Sequence, residues 1–362
     1  MIEQLLNELD KMNVSDEKYE AKYNILLKNI NQMSSEQLQK FKELTLKKLE
    51  YDSGVYENED EIMNKIVLIG CGNVGMSYAY ALLNQNTNVN ELVLIDLNKE
   101  RVIGEVMDLN HCLAFAPDKI DIKAGSYEDC KDATMVVIAA GANQEKGETR
   151  MDLIYKNSKI FKDIVTKVMD NGFNGIFLVA TNPLDVMTYL TWKYSNLPTN
   201  KIIGSGTSLD TSRLRYMIAD KLEISPKNVH AYVIGEHGDS EFVPWSNANI
   251  GLQNIKDYLN DNELNEIYLN VKNAAYEIIN RKGATYYGIG MCLVRITNAI
   301  LNNENSVITV STYDEDNNIF IGLPAIINKN GIKNKVYVNL TEEETKKLQN
   351  SIDVIKEAIS RL

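Results

Sequence analysis

One histidine of this chain stands in a setting suited to proton transfer. His237 lies within Gly235–Asp239, where flanking glycines leave the imidazole accessible after an apolar run. A catalytic histidine needs a partner that holds its tautomer. Asp210 and Arg213 are three positions apart, on one face of an expected helix; an Asp can orient an imidazolium and an Arg can grip a carboxylate. The alternatives are a solvated turn histidine and an ordinary surface ion pair.

A glycine-rich turn indicates a second kind of chemistry, nucleotide binding. The apolar run 66–69 enters Gly70-x-Gly72-x-x-Gly75 and then a segment compatible with a helix. Glycines at this spacing allow a tight strand-to-helix turn and a close approach of the backbone to a pyrophosphate, which the helix N-terminus receives. A purely structural turn is the alternative. The expected cofactor-binding residues here are Gly70, Gly72, Asn73, Val74 and Gly75.

Asp96 supports the nucleotide interpretation. It ends the next apolar run, at the spacing where an acid accepts hydrogen bonds from the adenosine ribose hydroxyls. Its carboxylate would repel a ribose phosphate, so the sequence favours NAD over NADP.

A polar segment, residues 139–150, separates an expected strand from an expected helix and contains two glycines. Such a segment can close as a lid, exclude water and bring Arg150 to an oxygen that gains negative charge. The alternative for Arg150 is an exposed residue at the start of a helix.

The elements that must position these residues follow an alternating pattern. Strand-like runs alternate with helix-like segments from residue 65 to about 182, which predicts a parallel sheet with ligands at the carboxyl ends of its strands. The predicted strands are 66–69, 92–95, 120–124, 135–140 and 176–180, and the predicted helices are 74–83, 99–113 and 152–170.

Past Pro183 the pattern changes to helix-rich segments with short strands. The predicted elements are strands 307–312, 319–327 and 335–340, with Gly331 in a hairpin turn, and a final helix 341–362. The expected fold class is α/β, a Rossmann-type doubly wound parallel sheet in a domain of residues 63–205 with a second α+β domain of residues 206–362.

Residues 1–62 form a separate compositional zone, with fourteen Asp or Glu, eight Lys and no Pro or Arg. Leucines and aromatics recur at helical spacing, which predicts two or three amphipathic helices followed by an acidic linker. Residues 34–37 offer a capping box before the last helix. We expect the apolar stripe with Leu26, Leu27, Leu38, Phe41 and Leu44 to be buried.

Composition excludes several classes of function. The formal net charge of −12 argues against nucleic acid as a partner, because a phosphate backbone must be met by clustered cations. Four scattered cysteines indicate neither a disulfide framework nor a zinc site, and no metal site is expected. The sequence has no apolar run long enough to span a membrane and no secretion signal. A cytoplasmic location is expected.

Together these motifs resemble the L-lactate dehydrogenases of the bacterial type, over essentially all of residues 63–362. The resemblance rests on the glycine turn, Asp96, the lid from Gln144 to Arg150, Thr181-Asn182-Pro183, Asp210-x-x-Arg213, Gly235–Asp239 and Gly283-Ala284-Thr285. It implies that His237 exchanges a proton with the substrate hydroxyl, paired with Asp210. It further implies that Arg213 binds the substrate carboxylate, Arg150 polarises the carbonyl, Asn182 orients substrate and nicotinamide, and Thr285 lines the pocket.

Gln144 distinguishes pyruvate from oxaloacetate within this resemblance. The related malate dehydrogenases carry an Arg at this lid position, whereas a neutral Gln suits a methyl group and leaves a second carboxylate unpaired. The alternatives are a malate or other 2-hydroxyacid dehydrogenase, and a non-catalytic scaffold on the same fold. Lys146 departs from related lids, which often carry proline, and this puts the stiffness of the lid in question.

Arg215 and His230 also match the bacterial type. In family members that fructose 1,6-bisphosphate activates, these positions bind a phosphate between subunits, so the resemblance implies such an effector and a homotetramer. The alternative is an ordinary surface Arg and a histidine at the start of a strand.

Overall fold

The computed structural model describes residues 2–12, 14, 16–52, 63–142 and 150–362. The chain divides into two compact units, Met1–Met63 and Asn64–Leu362. No helix in the described part of the chain has the length and apolarity needed to cross a membrane.

The described part of the first unit contains three helices, α1 (Ile2–Asp10), α2 (Glu17–Lys28) and α3 (Ser35–Asp52). They share a small core of their own, made by Leu6, Leu9, Tyr19, Tyr23, Leu26, Phe41 and Leu44. The expected stripe is therefore buried only in part, because Leu27 and Leu38 are exposed. Each lies next to the face that its helix turns toward this core.

The predicted capping box begins α3. The Ser34 backbone N–H donates to Oε1 of Gln37 at 3.1 Å, and the Gln37 backbone N–H donates to Oγ of Ser34 at 3.3 Å. Two backbone donors that the helix cannot satisfy internally are thereby paired.

Among residues 64–142 and 150–362, a nine-stranded sheet forms the centre of the second unit. With strands numbered along the chain, its order is β12-β11-β10-β6-β5-β4-β1-β2-β3. The strands from β1 to β6 run parallel to one another; the alternating pattern predicted the first five of them and did not predict β6. Their bounds are β1 (Lys65–Ile69), β2 (Glu91–Ile95), β3 (Asp121–Ala124), β4 (Met135–Ile138), β5 (Ile176–Val179) and β6 (Ile202–Gly204).

Helices cover both faces of this sheet, so the fold is doubly wound. The core on one face includes side chains of α4 (Asn73–Leu83), α5 (Lys99–Cys112) and α10 (Tyr287–Leu301). The core on the other face includes side chains of α6 (Arg150–Asp170), α7 (Leu184–Ser195) and α11 (Glu342–Ser360). Parallel strands buried on both faces require continuous apolar runs, which is what residues 66–69 and 92–95 supply.

Three antiparallel strands extend the same sheet: β10 (Ser306–Asp314), β11 (Ile319–Asn328) and β12 (Gly331–Lys335). They join the parallel part through Ser311 and Gly204. The prediction of a strand at 335–340 is wrong. Gly331 already pairs with Asn328, so the last strand begins at this glycine and ends at Lys335.

A smaller substructure contains α8 (Ser208–Leu222), α9 (Asp261–Lys282) and a short sheet of β7 (Val229–His230), β8 (Asn249–Ile250) and β9 (Gln253–Asn254). It has a separate core, to which Leu214, Val233 and Ile267 contribute. Between β7 and β8 lies the segment 235–241, which we call the histidine loop because it carries His237.

Candidate active site

The turn between β1 and α4 has the geometry of a phosphate cradle. Gly70 has φ +106°, and a Cβ on Gly75 would lie 1.9 Å from the carbonyl oxygen of Gly70, so neither tolerates a side chain. Gly72 differs, because a Cβ there would meet no atom within 4 Å. Asn73 and Val74 are the first two residues of α4, so their backbone amides have no acceptor within the helix. The turn thus leaves room for an anion to approach the backbone.

Asp96 lies at the carboxyl end of β2, beside this cradle. Its Oδ2 accepts the Cys71 backbone N–H at 2.8 Å, and its Oδ1 accepts the Asn98 backbone N–H at 3.0 Å. The carboxylate is partly exposed and fixed in orientation. A dinucleotide fits these residues, since its pyrophosphate would meet the open cradle and its ribose would meet an acceptor held in place.

Three side chains converge at the predicted proton-transfer site. His237 Nδ1 is 2.8 Å from Oδ2 of Asp210, and Nη1 of Arg213 donates to Oδ1 of the same carboxylate at 2.7 Å. Asp210 and Arg213 lie in the first two turns of α8. The side chain of Asp210 is 3% exposed and that of His237 is 24% exposed, so the imidazole keeps an accessible edge.

The electrostatics favour a protonated imidazole. Burial alone would lower the pKa of His237, but the charge and hydrogen bond of Asp210 outweigh it and raise that pKa to about 9. Burial would raise the pKa of Asp210, but His237 and Arg213 hold it below its ordinary value. The site therefore pairs a proton donor with a carboxylate that stays ionised.

Asp185, which the sequence patterns did not identify, holds the main chain of the histidine loop. Its Oδ2 accepts the His237 backbone N–H at 2.8 Å, and its Oδ1 accepts the Ser311 hydroxyl at 2.5 Å. Burial raises the pKa of Asp185 to about 6, against the lowering effect of these two donors. A carboxylate in the first helical turn after a strand-end loop was a signal that could have identified it.

Asn157 is a second residue that the sequence analysis missed. This buried amide accepts the Ala142 backbone N–H at 2.8 Å and donates to the Asn182 carbonyl oxygen at 2.8 Å. It joins the start of the expected lid to the loop that carries Asn182, whose own side chain is exposed. Nothing in the sequence around α6 marks Asn157.

Part of the expected substrate site lies outside the described residues. Gln144 and Lys146 belong to the segment 143–149, and of Arg150 only the backbone is described, as the first residue of α6. Thr285 is partly exposed in the connection between α9 and α10. Gly288 at the start of α10 lies against Leu209, the neighbour of Asp210, so this connection is close to the start of α8.

Arg215, one of the two residues expected to bind an effector, contacts the backbone just after the other, His230. Arg215 on α8 donates from Nε to the carbonyl oxygen of Ala231 at 3.1 Å, and its guanidinium lies 4.8 Å from the ring centre of Tyr232. His230, which precedes Ala231, is exposed. The structure thus brings Arg215 beside the segment that carries His230.

Comparisons with known proteins agree with this geometry. Residues 64–204 match the family model described as lactate/malate dehydrogenase, NAD binding domain. Residues 207–362 match the model described as lactate/malate dehydrogenase, alpha/beta C-terminal domain. Both models begin after the three-helix unit.

Similar proteins and structures span the same part of the chain. A Bacillus cereus L-lactate dehydrogenase 2 is 53% identical over 308 residues, covering 82% of this chain and 98% of the relative. A Geobacillus L-lactate dehydrogenase is 53% identical, covering 83% and 97%. A lactate dehydrogenase from a deep-sea metagenome superposes with a TM-score of 0.80 at 53% identity, covering 82% and 98%. The ligand-bound minor L-lactate dehydrogenase of Enterococcus mundtii gives 0.81 at 45% identity, covering 83% and 99%.

Proposed function

The chain belongs to the lactate/malate dehydrogenase family, and we propose that it is an NAD-dependent L-lactate dehydrogenase that interconverts pyruvate and (S)-lactate. The observation that carries the proposal is the buried Asp210 carboxylate, which is bonded to both His237 and Arg213. A scaffold on this fold would not need to keep an ionised carboxylate, a proton donor and a guanidinium together.

Bound NADH supplies the hydride that adds to the carbonyl carbon of pyruvate. Nδ1 of His237 faces Asp210, so the opposite ring nitrogen, Nε2, delivers the proton to the oxygen that becomes the hydroxyl. Asp210 retains the tautomer and stabilises the imidazolium before transfer. In lactate oxidation the same nitrogen takes the proton back.

Arg213 is the group that grips the substrate carboxylate. One of its nitrogens is bonded to Asp210, and a guanidinium has further donors with which to hold a carboxylate at two points. We assign Arg150 to polarising the carbonyl, Asn182 to orienting substrate and nicotinamide, and Thr285 to lining the pocket, as in the family. The exposed side chain of Asn182 supports its role, and the role of Thr285 is supported by Gly288, which lies against Leu209 at the end of the connection that carries Thr285.

Gln144 carries the choice of substrate in this proposal. A neutral amide leaves the second carboxylate of oxaloacetate without a cation, which costs several kcal/mol in a closed site. NADH oxidation measured with pyruvate and with oxaloacetate tests it, and a preference for oxaloacetate would favour a malate dehydrogenase.

Gln144→Arg tests the same assignment by reversal. We expect relative kcat/KM to move toward oxaloacetate by at least about tenfold, the equivalent of about 1.4 kcal/mol. Gln144→Met is the matched control, because it keeps length and neutrality and should retain the preference for pyruvate. Unchanged relative kcat/KM in the arginine variant would contradict the role of Gln144.

We further propose a homotetramer that fructose 1,6-bisphosphate activates through Arg215 and His230. The position of Arg215 beside the His230 segment, in a chain of net charge −12, supports an anion site. The test is the KM for pyruvate and the sedimentation of the protein with and without the bisphosphate. Arg215→Gln and His230→Asn should abolish the response; an effect that survives both would place the effector elsewhere.

The proposed reaction regenerates NAD in the cytoplasm during anaerobic glycolysis, where pyruvate accepts the electrons. Domain boundaries at residues 62 and 205 remain part of the proposal, with NAD bound by 63–205 and substrate chemistry carried by 206–362.

A further inference from the structure

Glu241 is a buried carboxylic acid beside His237 and Asp210, and it has no role in the mechanism proposed for them. It ends the histidine loop and is 4% exposed. The Tyr268 hydroxyl donates to its carbonyl oxygen at 2.8 Å, and Phe242, the next residue, pairs with Ile234 in a β-bridge. The backbone of Glu241 is thus held on both sides, and its side chain has a fixed origin.

The side chain of Glu241 points at Asp210. A carboxyl oxygen of each and a ring nitrogen of His237 all lie within 4.8 Å of one another. Two ionised carboxylates have only acceptors, and they repel each other at this separation in a buried site. A proton on one of the two removes that repulsion and provides a donor to the other.

The surroundings decide which carboxyl keeps it. Asp210 already contacts two cationic groups, Arg213 and His237, whose donors require an ionised oxygen. Burial, followed by the charge of Asp210, raises the pKa of Glu241 well above its ordinary range, against the opposing charges of His237 and Arg213. The proton belongs on Glu241.

Other titratable groups near the cluster do not change this assignment. The pKa of Tyr268 is raised mainly by burial, and the charges of Glu241 and Asp239 raise it by smaller amounts. Among the described residues, the titratable groups around the cluster are Asp210 and Arg213 on α8, His237 and Asp239 on the histidine loop, Tyr268 on α9, Cys292 on α10 beside Asp210, and Asp185 on α7 beside His237. Arg213 and His237 are the cations of this set.

We propose that Glu241 is a positioning residue that stays protonated at neutral pH and donates its O–H to Asp210. The bond fixes the Asp210 carboxylate from a third side, so that the oxygen facing His237 cannot rotate away. A protonated Glu241 also adds no second negative charge near Arg213. The positive charge of Arg213 therefore remains available to attract a substrate carboxylate. This spacing of acids and histidine would suit a metal ion, but the Arg213 guanidinium on Asp210 would repel one.

This inference rests on the proposed function, but its first test does not. Infrared difference spectra at pH 7, wild type against Glu241→Gln, should show the loss of one protonated carboxylic acid in the variant. Glu236→Gln is the matched control: Glu236 is equally buried but accepts two hydrogen bonds from Ser240, so its removal should leave that signal intact. A missing signal in the wild type overturns the proposal, whether or not the protein reduces pyruvate.

Rescue by the conservative variant is the second test. Glutamine is neutral and can donate an N–H to Asp210, so Glu241→Gln should keep kcat for pyruvate close to the wild-type value at pH 7. Glu241→Leu removes the donor, and we expect kcat to fall by about tenfold or more with little change in NADH binding. A loss of kcat of about tenfold or more in Glu241→Gln as well would refute the proposal, because it would show that a neutral donor at this position is not what supports catalysis. If Glu241→Leu does not fold, Glu241→Gln alone decides.

Discussion

At the scale of single residues, His237 is held by two carboxylates with different tasks. Asp210 bonds to the ring and Asp185 bonds to the main chain of the same residue. Asp210 fixes the tautomer and the charge of the imidazole, and Asp185 fixes the position of the imidazole. Proton transfer needs both, because a general acid must lie within hydrogen-bond reach of its target as well as carry a proton.

The raised pKa of His237 predicts the direction of the pH profile. Pyruvate reduction needs the protonated imidazole, so kcat/KM should be flat at low pH and fall as pH rises through a value near 9. Lactate oxidation needs the neutral form and should rise over the same range. His237→Asn should abolish this pH dependence and retain NADH binding. A fall of kcat/KM centred near pH 6.5, the ordinary histidine value, would show that Asp210 does not set the pKa of His237.

Replacing Asp185 should disturb catalysis through position. Asp185→Ala leaves the His237 N–H and the Ser311 hydroxyl without their acceptor, and small displacements of a catalytic group are costly, so kcat should fall by about tenfold or more. Asp185→Asn keeps an acceptor and should recover much of the rate. Ser311→Ala, which removes only the second donor, is the control. Equal rates in the alanine and asparagine variants would argue against a positioning role.

At the scale of elements, the turn between β1 and α4 assigns different tasks to its glycines. Gly70 and Gly75 are required by the backbone itself, since each lacks space for a side chain. A Cβ at Gly72 would meet no protein atom, which indicates that a glycine at this position serves the binding of a ligand. The distinction separates folding from cofactor binding within one short segment.

Alanine substitutions should separate these tasks. Gly72→Ala should leave stability unchanged and weaken NADH binding, by about tenfold or more if the methyl group blocks the pyrophosphate. Gly70→Ala should cost about 1–3 kcal/mol of stability, because its backbone is left-handed and crowded. Gly104→Ala, in open space on α5, is the control and should be neutral or slightly stabilising. Urea unfolding and NADH fluorescence titration measure the two effects, and normal NADH affinity in Gly72→Ala would contradict the cradle.

At the scale of the whole molecule, the chain joins a complete dehydrogenase fold to a three-helix unit with a core of its own. Both matched family models lie within residues 64–362, and the described candidate site residues lie there too. The first unit has no buried titratable cluster among its described residues that resembles a catalytic site. Its apolar core explains how it can fold without contributing to chemistry.

Deleting residues 1–62 should therefore leave catalysis within about tenfold of the full chain in kcat/KM for pyruvate. Phe41→Ala is the matched control, because it removes a buried ring from the three-helix core and keeps the chain length. Both variants should bind NADH as the full chain does. A soluble, assembled deletion variant that loses much more activity would make the extension part of the working enzyme.

The sequence by itself determined the features that depend on local pattern. Apolar runs and glycine spacing predicted five parallel strands and the cofactor turn, and the i, i+3 spacing placed Asp210 and Arg213 on one helix face. The capping box of α3 was predicted for the same reason, since Ser34 and Gln37 meet within a single helical turn. These features need only neighbours along the chain.

The tertiary structure alone decided which buried polar groups meet. Asp185 contacts residues 52 and 126 positions away, Asn157 joins two separate loops, and Glu241 in the histidine loop faces a carboxylate on α8. Sheet extension by β10 to β12 likewise depends on one distant pairing, Ser311 with Gly204. A buried donor or acceptor must find a partner, but the partner is set by how distant segments pack, and no local pattern records that.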